Sequence, residues 1–301
     1  MGLMNNGRVN MVITNHSLRY TFHKNASSSG LVTYGEVELP NGTIKDGTIA
    51  NKSAFLEAVN LLVHQQKWKR KKLYFSLPDD TVVVRKLQIP AALSKEEAMG
   101  YVNTQIGNSL YLPFANPALA IEFLDNDREN REILLFAYPK EKITAFVAIF
   151  EEVGLKPVVA DLTSLAVYRY YYLHQPDEKE HILLIHWDRD ALVLTVFQQH
   201  KAIFTRHMKI EMVETPSEDK AMDTINEYIT EINRIIDFYQ YSITKGEERI
   251  NKLLLSGDFP FLSAVQTALM NTVTIPIHYF QNEELPKKYI DVLGLALKQD
   301  V

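Results

Sequence analysis

The chain has 301 residues, 46% hydrophobic and 23% charged, which is material for one large or two ordinary globular domains. Its 37 acidic residues against 32 basic ones give a formal net charge of −5, which argues against a dedicated nucleic-acid binder. The absence of cysteine excludes disulfides, thiolate metal sites and a cysteine nucleophile. With no apolar run of membrane-spanning length and no signal-like N-terminus, the expectation is a cytoplasmic protein.

Residues 1–10 read as a loose leader. Residues 11–22 predict two short strands joined by Thr14, Asn15 and His16, and residues 31–39 alternate as a third strand, which Pro40-Asn41-Gly42 ends. Phe55, Leu56, Val59, Leu62 and Val63 recur at helical spacing. The run Lys67-Trp68-Lys69-Arg70-Lys71-Lys72 that follows reads as the solvated C-terminus of that helix, its cations matched to the dipole; contact with anionic lipid or an acidic partner is the alternative. Strands follow at 73–77 and 81–89. Ser94 and Glu97 fit a capping box that starts a helix to about residue 108. An irregular connection through Leu112-Pro113-Phe114 leads to strands at 119–124 and 133–138. A helix over 140–153 is stopped by Gly154.

A strand over 156–160 leads into a helix over 161–172, whose Tyr168, Tyr170, Tyr171 and Tyr172 read as junction packing rather than as a platform for a base. Residues 180–208 form a meander of three strands with a tight turn at His186-Trp187-Asp188-Arg189-Asp190. The longest helix, 222–243, carries the stripe Ile225, Tyr228, Ile229, Ile232, Ile235, Ile236 and Tyr239. A strand over 252–256, the turn Gly257-Asp258, a helix, a strand over 273–277 and a helix over 289–298 close the chain. A strand-rich half with a helix, followed by a second meander with its own helix and strand–Gly–helix turn, is the duplicated layout of actin-like ATPases, although no sequence repeat proves it.

Several stretches carry a more specific likeness. They are residues 39–49 (LPNGTIKDGTI), 73–78 with 85–90, Gly154-Leu155-Lys156-Pro157 through Asp161, Leu165-Ala166, Phe204-Thr205-Arg206, Leu255-Ser256-Gly257 and Leu293-Gly294-Leu295-Ala296-Leu297. In this order and spacing the chain resembles PilM-type proteins, the actin-like cytoplasmic components of type IV pilus assembly, related in fold to the division protein FtsA. The resemblance implies an α/β, actin-like (ribonuclease H-like) two-lobed fold. The first lobe would take residues 1–80 and 154–180, a small α+β insert 81–153, and the second lobe 181–301. It also implies a partner: a PilN-like bitopic membrane protein whose short N-terminal cytoplasmic segment docks here and recruits the protein to the inner face of the membrane, so that membrane contact is made only through the partner. Self-association is a further expectation, and nucleic acid is not a partner.

The chain departs from the family's ATP-binding members at three turns. Aligned on Ser17-Leu18-Arg19, Val12 stands at the Asp position of an Asp-Ile-Gly turn and Thr14 at its Gly position. His186-Trp187-Asp188 replaces the second such turn, and Ser256-Gly257-Asp258 stands where the adenosine side has Ser-Gly-Gly. Glycine lets backbone N–H groups close on phosphate, and magnesium requires oxygen ligands; Val12 offers none, while Asp188 and Asp258 add negative charge beside a triphosphate. The reading is a degenerate nucleotide site, with no cofactor expected; if ATP and magnesium do bind, Ser17, Arg19, Asp188 and Gly257 are the residues that would serve them.

No Walker, dinucleotide, metalloprotease or nucleophile-elbow motif occurs. His186, Asp188 and Asp190 read as an exposed polar turn rather than a metal site. Asp161 reads as a helix N-cap, although a small-molecule kinase would need a carboxylate there. Two functions are weighed: a scaffold without ATP hydrolysis, and an ATP-dependent switch controlling partner binding or self-association. For the scaffold, Tyr101, Tyr111, Leu112 and Phe114 are the candidates to line a peptide groove between the first lobe and the insert; insert core is the competing reading.

Overall fold

The computed structural model describes residues 7–126, 130–175, 179–210, 218–280 and 285–299. β1 (Arg8–Ile13) and β2 (Ser17–His23) form an antiparallel hairpin, and β3 (Leu31–Glu38) pairs with β2. Every residue of β1 and β2 is buried, whereas the edge strand β3 is partly open. β1 starts inside the expected leader. Arg8 disguises it, because its guanidinium is buried over the Tyr74 ring at 4.1 Å and donates to the Lys298 carbonyl at 2.6 Å.

A small hairpin follows, β4 (Ile44–Lys45) and β5 (Thr48–Ile49), with Asp46 and Gly47 at φ +50° and +64°, as a two-residue primed turn requires. α1 (Lys52–Gln65) is capped by Asn51, which accepts the Ala54 N–H at 3.1 Å, and it buries Phe55, Val59, Leu62 and Val63. β6 (Lys72–Leu77) then enters the sheet parallel to β1.

The insert contains β7 (Val83–Pro90), α2 (Lys95–Gln105), β8 (Pro117–Asn126) and β9 (Asn130–Pro139). Its antiparallel sheet has the order β7-β9-β8 and a core of its own around Ile89, Val102, Ile121 and Leu135. The capping box at Ser94 and Glu97 is present. α3 (Lys140–Glu152) lies within the range expected for the insert, but Phe146, Ile149 and Phe150 pack into the first lobe's core. By its core, the insert therefore ends with β9.

β10 (Lys156–Leu162) pairs parallel to β6 and completes a five-stranded sheet of order β10-β6-β1-β2-β3. α4 (Thr163–His174) crosses to the second lobe. There β11 (His181–Trp187), β12 (Ala191–Gln198) and β13 (Lys201–Lys209) form the meander. α5 (Glu218–Asp237) passes into a π-helical segment, Phe238–Ile243. β14 (Lys252–Ser256), α6 (Leu262–Thr272) and β15 (Ile277–Tyr279) follow. The last strand starts beyond the expected 273–277, because Pro276 has no N–H for the ladder and contributes only its carbonyl, which accepts from Leu253 at 2.9 Å.

The second sheet, β13-β12-β11-β14-β15, repeats the first strand for strand: three antiparallel strands, then two parallel ones. The duplication that the sequence hides is thus plain in the topology. α7 (Ile290–Ala296) returns to pack against α4. The two helices are sandwiched between the sheets in a shared core that includes Val12 and Tyr74 from one sheet and Ile182 and Leu184 from the other. Tyr168 and Tyr171 are buried in it, with Tyr168 stacked on Phe197 at 3.7 Å, so the tyrosine-rich helix is junction packing. Among the described residues no helix is long and apolar enough to cross a membrane.

Candidate functional site

The three departing turns meet in the cleft between the lobes. From the β1–β2 turn, Asn15 Nδ2 donates to Asp190 Oδ2 at 2.6 Å and His16 Nε2 lies 3.2 Å from Asp190 Oδ1. From the β14–α6 turn, the Asp258 N–H donates to Asp188 Oδ1 at 3.3 Å, and the Arg189 N–H donates back to Asp258 Oδ1 at 3.1 Å. Gly257 has φ +119°, and a Cβ there would stand 2.0 Å from the Trp187 carbonyl oxygen. The close approach of these two turns therefore requires glycine.

Arg19 organises this cleft. It is directly opposite Val12 on β1 and Glu36 on β3, a row that runs across the sheet. The side chain is fully buried, and four carboxylates surround it: Asp291 at 2.8 Å, Asp258 at 3.2 Å, Glu36 at 3.5 Å and Asp188 at 3.7 Å. Burial alone would lower its pKa, but the acids outweigh that and raise it above its ordinary value. Ser17 donates to Glu36 at 2.9 Å and Lys288 pairs with the same carboxylate, so first lobe, second lobe and α7 are tied through one network.

His186 sits beside it, 2% exposed, with Nδ1 2.8 Å from Ser256 Oγ and Nε2 3.2 Å from Asp188 Oδ2. Burial disfavours its charge, but the Asp188 carboxylate overrides that and pushes the imidazole up to about 9. Burial pushes Asp258 up to about 6 and raises Asp291. The turn expected to be an exposed polar loop is thus half-buried and closed over. The cavity left between the turns has a volume of about 40 Å³ and is lined by Thr14, Asp79, His186, Asp188 and Asp190 among others. Small-molecule sites commonly take roughly 300–1,000 Å³. Among the described residues no group of three or more His, Asp or Glu side chains is placed to hold a metal ion.

All four residues named for a degenerate nucleotide site, Ser17, Arg19, Asp188 and Gly257, converge here. Asp161 does not cap α4. Its Oδ2 pairs with Arg169 at 2.8 Å and Lys298 at 3.2 Å. The cap comes from Asp79, whose two oxygens accept the Thr163 and Ser164 N–H groups at 2.9 and 2.8 Å. Asp79, Glu36 and Asp291 were not singled out in the sequence. Asp79 stands in a Pro-Asp-Asp turn, and nothing in its spacing points to a helix 84 residues later.

A second concave feature is a groove of about 480 Å³ between the insert and the first lobe. Five consecutive residues of β8, Ala118 to Glu122, and three of β10, Ala160 to Leu162, line it. Both strands are edges of their sheets. Successive side chains of a strand point to opposite faces, so consecutive lining residues mean that the groove runs along the two edges. Leu77, Val82, Phe136, Ile143 and Leu165 also line it. None of Tyr101, Tyr111, Leu112 and Phe114 does. Tyr101 and Leu112 pack on the insert's core, Phe114 is half-buried, and Tyr111 is 67% exposed.

The family of the type IV pilus assembly protein PilM matches residues 14–210, nearly two thirds of the chain. The chain belongs to that family. A chain of a solved PilM–PilN type IV pilus biogenesis complex superposes with a TM-score of 0.80 at 15% identity, over 96% of this chain and 97% of that one. A Bacteroides thetaiotaomicron protein with an actin-like ATPase fold and unknown function gives 0.55 at 11%, over 99% and 100%. The ethanolamine utilization protein EutJ from Carboxydothermus hydrogenoformans gives 0.55 at 9%, over 98% and 90%. These likenesses establish the actin-like fold. No curated protein matches the chain in sequence.

Proposed function

We propose that this PilM-family chain is a cytoplasmic scaffold of a type IV pilus-like assembly system. It docks the short N-terminal cytoplasmic segment of a PilN-like bitopic membrane protein, and it works without hydrolysing ATP. The observation that carries the nucleotide-independent reading is Arg19 with its four carboxylates in the interlobe cleft. The residues present do not fit a magnesium nucleotide. The small cavity is lined by acids, the Asp position of the first turn is the buried Val12, and a triphosphate would meet Asp188 and Asp258 at close range.

The groove between β8 and β10 is the docking place this reading favours. An extended segment laid along an unpaired strand edge gains main-chain hydrogen bonds, and an apolar floor takes alternate side chains. The solved PilM–PilN complex of the same fold supports a partner of this kind. The partner would then hold the protein at the inner face of the membrane.

Calorimetric titration with ATP to millimolar concentration, with and without magnesium, alongside titration with a PilN-like N-terminal peptide, tests the proposal. Silence with ATP and binding of the peptide is the expected pair. Magnesium-dependent ATP binding in the micromolar range would overturn it and put the ATP-dependent switch in its place.

A further inference from the structure

The cationic run after α1 is not the helix terminus that its sequence predicts. α1 ends at Gln65, and residues 66–71 form a fixed turn. The Trp68 N–H donates to the Val63 carbonyl at 2.9 Å, and the Trp68 ring is 3% exposed between Tyr20 and Phe22. Lys67 and Arg70 take φ +58° and +67°, a region that usually goes to glycine, and the Arg70 N–H donates to the Gly154 carbonyl at 2.6 Å. The buried indole and these bonds hold the neighbouring cations outward.

Other segments bring cations to the same end of the first sheet. Lys72 is in register with Lys156 on one side and Arg8 on the other, and Arg8 is in register with His23, which Lys24 follows. Lys24, Lys67, Lys69, Arg70, Lys72 and Lys156 are all exposed. Among the described residues none of the six makes an ion pair. Lys72 beside Lys156 places like charges next to each other, which disfavours the fold unless an external anion relieves it. This happens in a chain whose net charge is −5, so the patch is a local segregation of charge rather than an excess.

We infer that this end of the first lobe is a docking surface for an anionic lipid bilayer. The patch lies at the opposite end of the sheet from the interlobe cleft, and none of its six cations lines the groove between β8 and β10. Five of the six cations are lysines, point charges without the fork that selects a particular carboxylate, and they come from separate segments spread across the sheet end. Such an array suits many mobile headgroups better than one acidic polypeptide. β10, which carries Lys156, exposes Val158, 51%, and α1, which precedes the run, exposes Leu61, 55%, apolar groups that an interfacial layer accommodates. Membrane contact would then be direct as well as through the partner.

The test is co-sedimentation of the full chain with vesicles of phosphatidylcholine alone and of phosphatidylcholine with phosphatidylglycerol. The expected result is binding to the anionic vesicles only, stronger at low salt. The triple variant Lys69→Glu/Lys72→Glu/Lys156→Glu, which avoids the positive-φ positions, should bind at least about tenfold more weakly. Its thermal unfolding should be cooperative, and the second-lobe variant Arg249→Glu should bind like the parent. Absence of parental binding, or equal binding by the triple variant, would overturn the inference. Binding to poly-glutamate without binding to vesicles would assign the patch to an acidic polypeptide and overturn the lipid assignment.

Discussion

Arg19 Nη1 donates to Asp291 Oδ2 at 2.8 Å, and that contact joins β2 of the first lobe to the first turn of the chain's last helix. Neither residue is more than 1% exposed. The pair is the dry end of the four-acid network, and it fixes where α7 returns between the sheets. Replacing Arg19 by Met would fill the volume but take the shared cation from four carboxylates, of which Glu36 keeps Lys288 and Asp188 keeps His186. Removing one partner of a buried ion pair costs about 3–5 kcal/mol. The Arg19→Met variant should therefore lose that much in chemical denaturation. Arg19→Lys should recover only part of it, because an ammonium cannot match the geometry of the fork. An unfolding free energy unchanged in Arg19→Met would show that the network contributes nothing to holding the lobes.

Stability should fall on the alkaline side of neutrality. The His186 pKa is raised to about 9 from its ordinary 6.5. Its contribution is fully present below the unfolded value and lost as pH rises through the folded one, an effect on the order of 3 kcal/mol. Asp79 and Asp258, each pushed up to about 6, add a separate loss between about pH 4 and 6. The midpoint of thermal unfolding should drop between pH 7 and 9.5 in the parent and stay flatter in His186→Gln. Parallel pH profiles for the two proteins would remove His186 from the account.

The fold was legible wherever apolar periodicity was local. α1, the capping box at Ser94 and the meander each show in their own residues. The site was legible only through its turns: the departing residues at Val12, His186 and Asp258 are visible, but the network they join is not. Arg19 is visible in the sequence only as a residue that would serve a nucleotide, and its acids come from positions 36, 188, 258 and 291. A network closed by tertiary contact leaves no spacing signal. The basic run misled in the opposite direction: local charge pointed to a helix end, while the burial of Trp68 turned that segment into a fixed turn.

Gly294 sets how closely the two bridging helices approach. A Cβ there would stand 1.8 Å from the Ala166 carbonyl oxygen, and Arg169 Nη1 donates to the Gly294 carbonyl at 3.0 Å. Gly294→Ala must push α4 and α7 apart inside the shared core. Overpacking of this kind costs about 1–3 kcal/mol, and Tm should fall by roughly 2–5 °C. Gly100, in the exposed middle of α2, is the control, since a Cβ there meets nothing within 4 Å. Gly100→Ala should leave stability unchanged or raise it by up to about 1 kcal/mol. Equal Tm values for Gly294→Ala and the parent would show that the helices are not in the contact described.

The groove makes the most direct claim on function. Ala120 and Ala160 are exposed, they belong to the two facing edge strands, and both line the groove. An arginine at either position keeps the core intact and obstructs a strand laid along the edge. Ala120→Arg and Ala160→Arg should each weaken binding of a PilN-like N-terminal peptide by at least about tenfold, the loss of roughly 1.4 kcal/mol that one blocked pocket or a few main-chain bonds represents. Tyr111→Ala and Phe114→Ala lie outside the groove and should bind as the parent does. Fluorescence anisotropy with a labelled peptide distinguishes the two pairs. If the alanine variants lose the peptide and the arginine variants keep it, the docking surface lies on the insert's irregular connection rather than between β8 and β10.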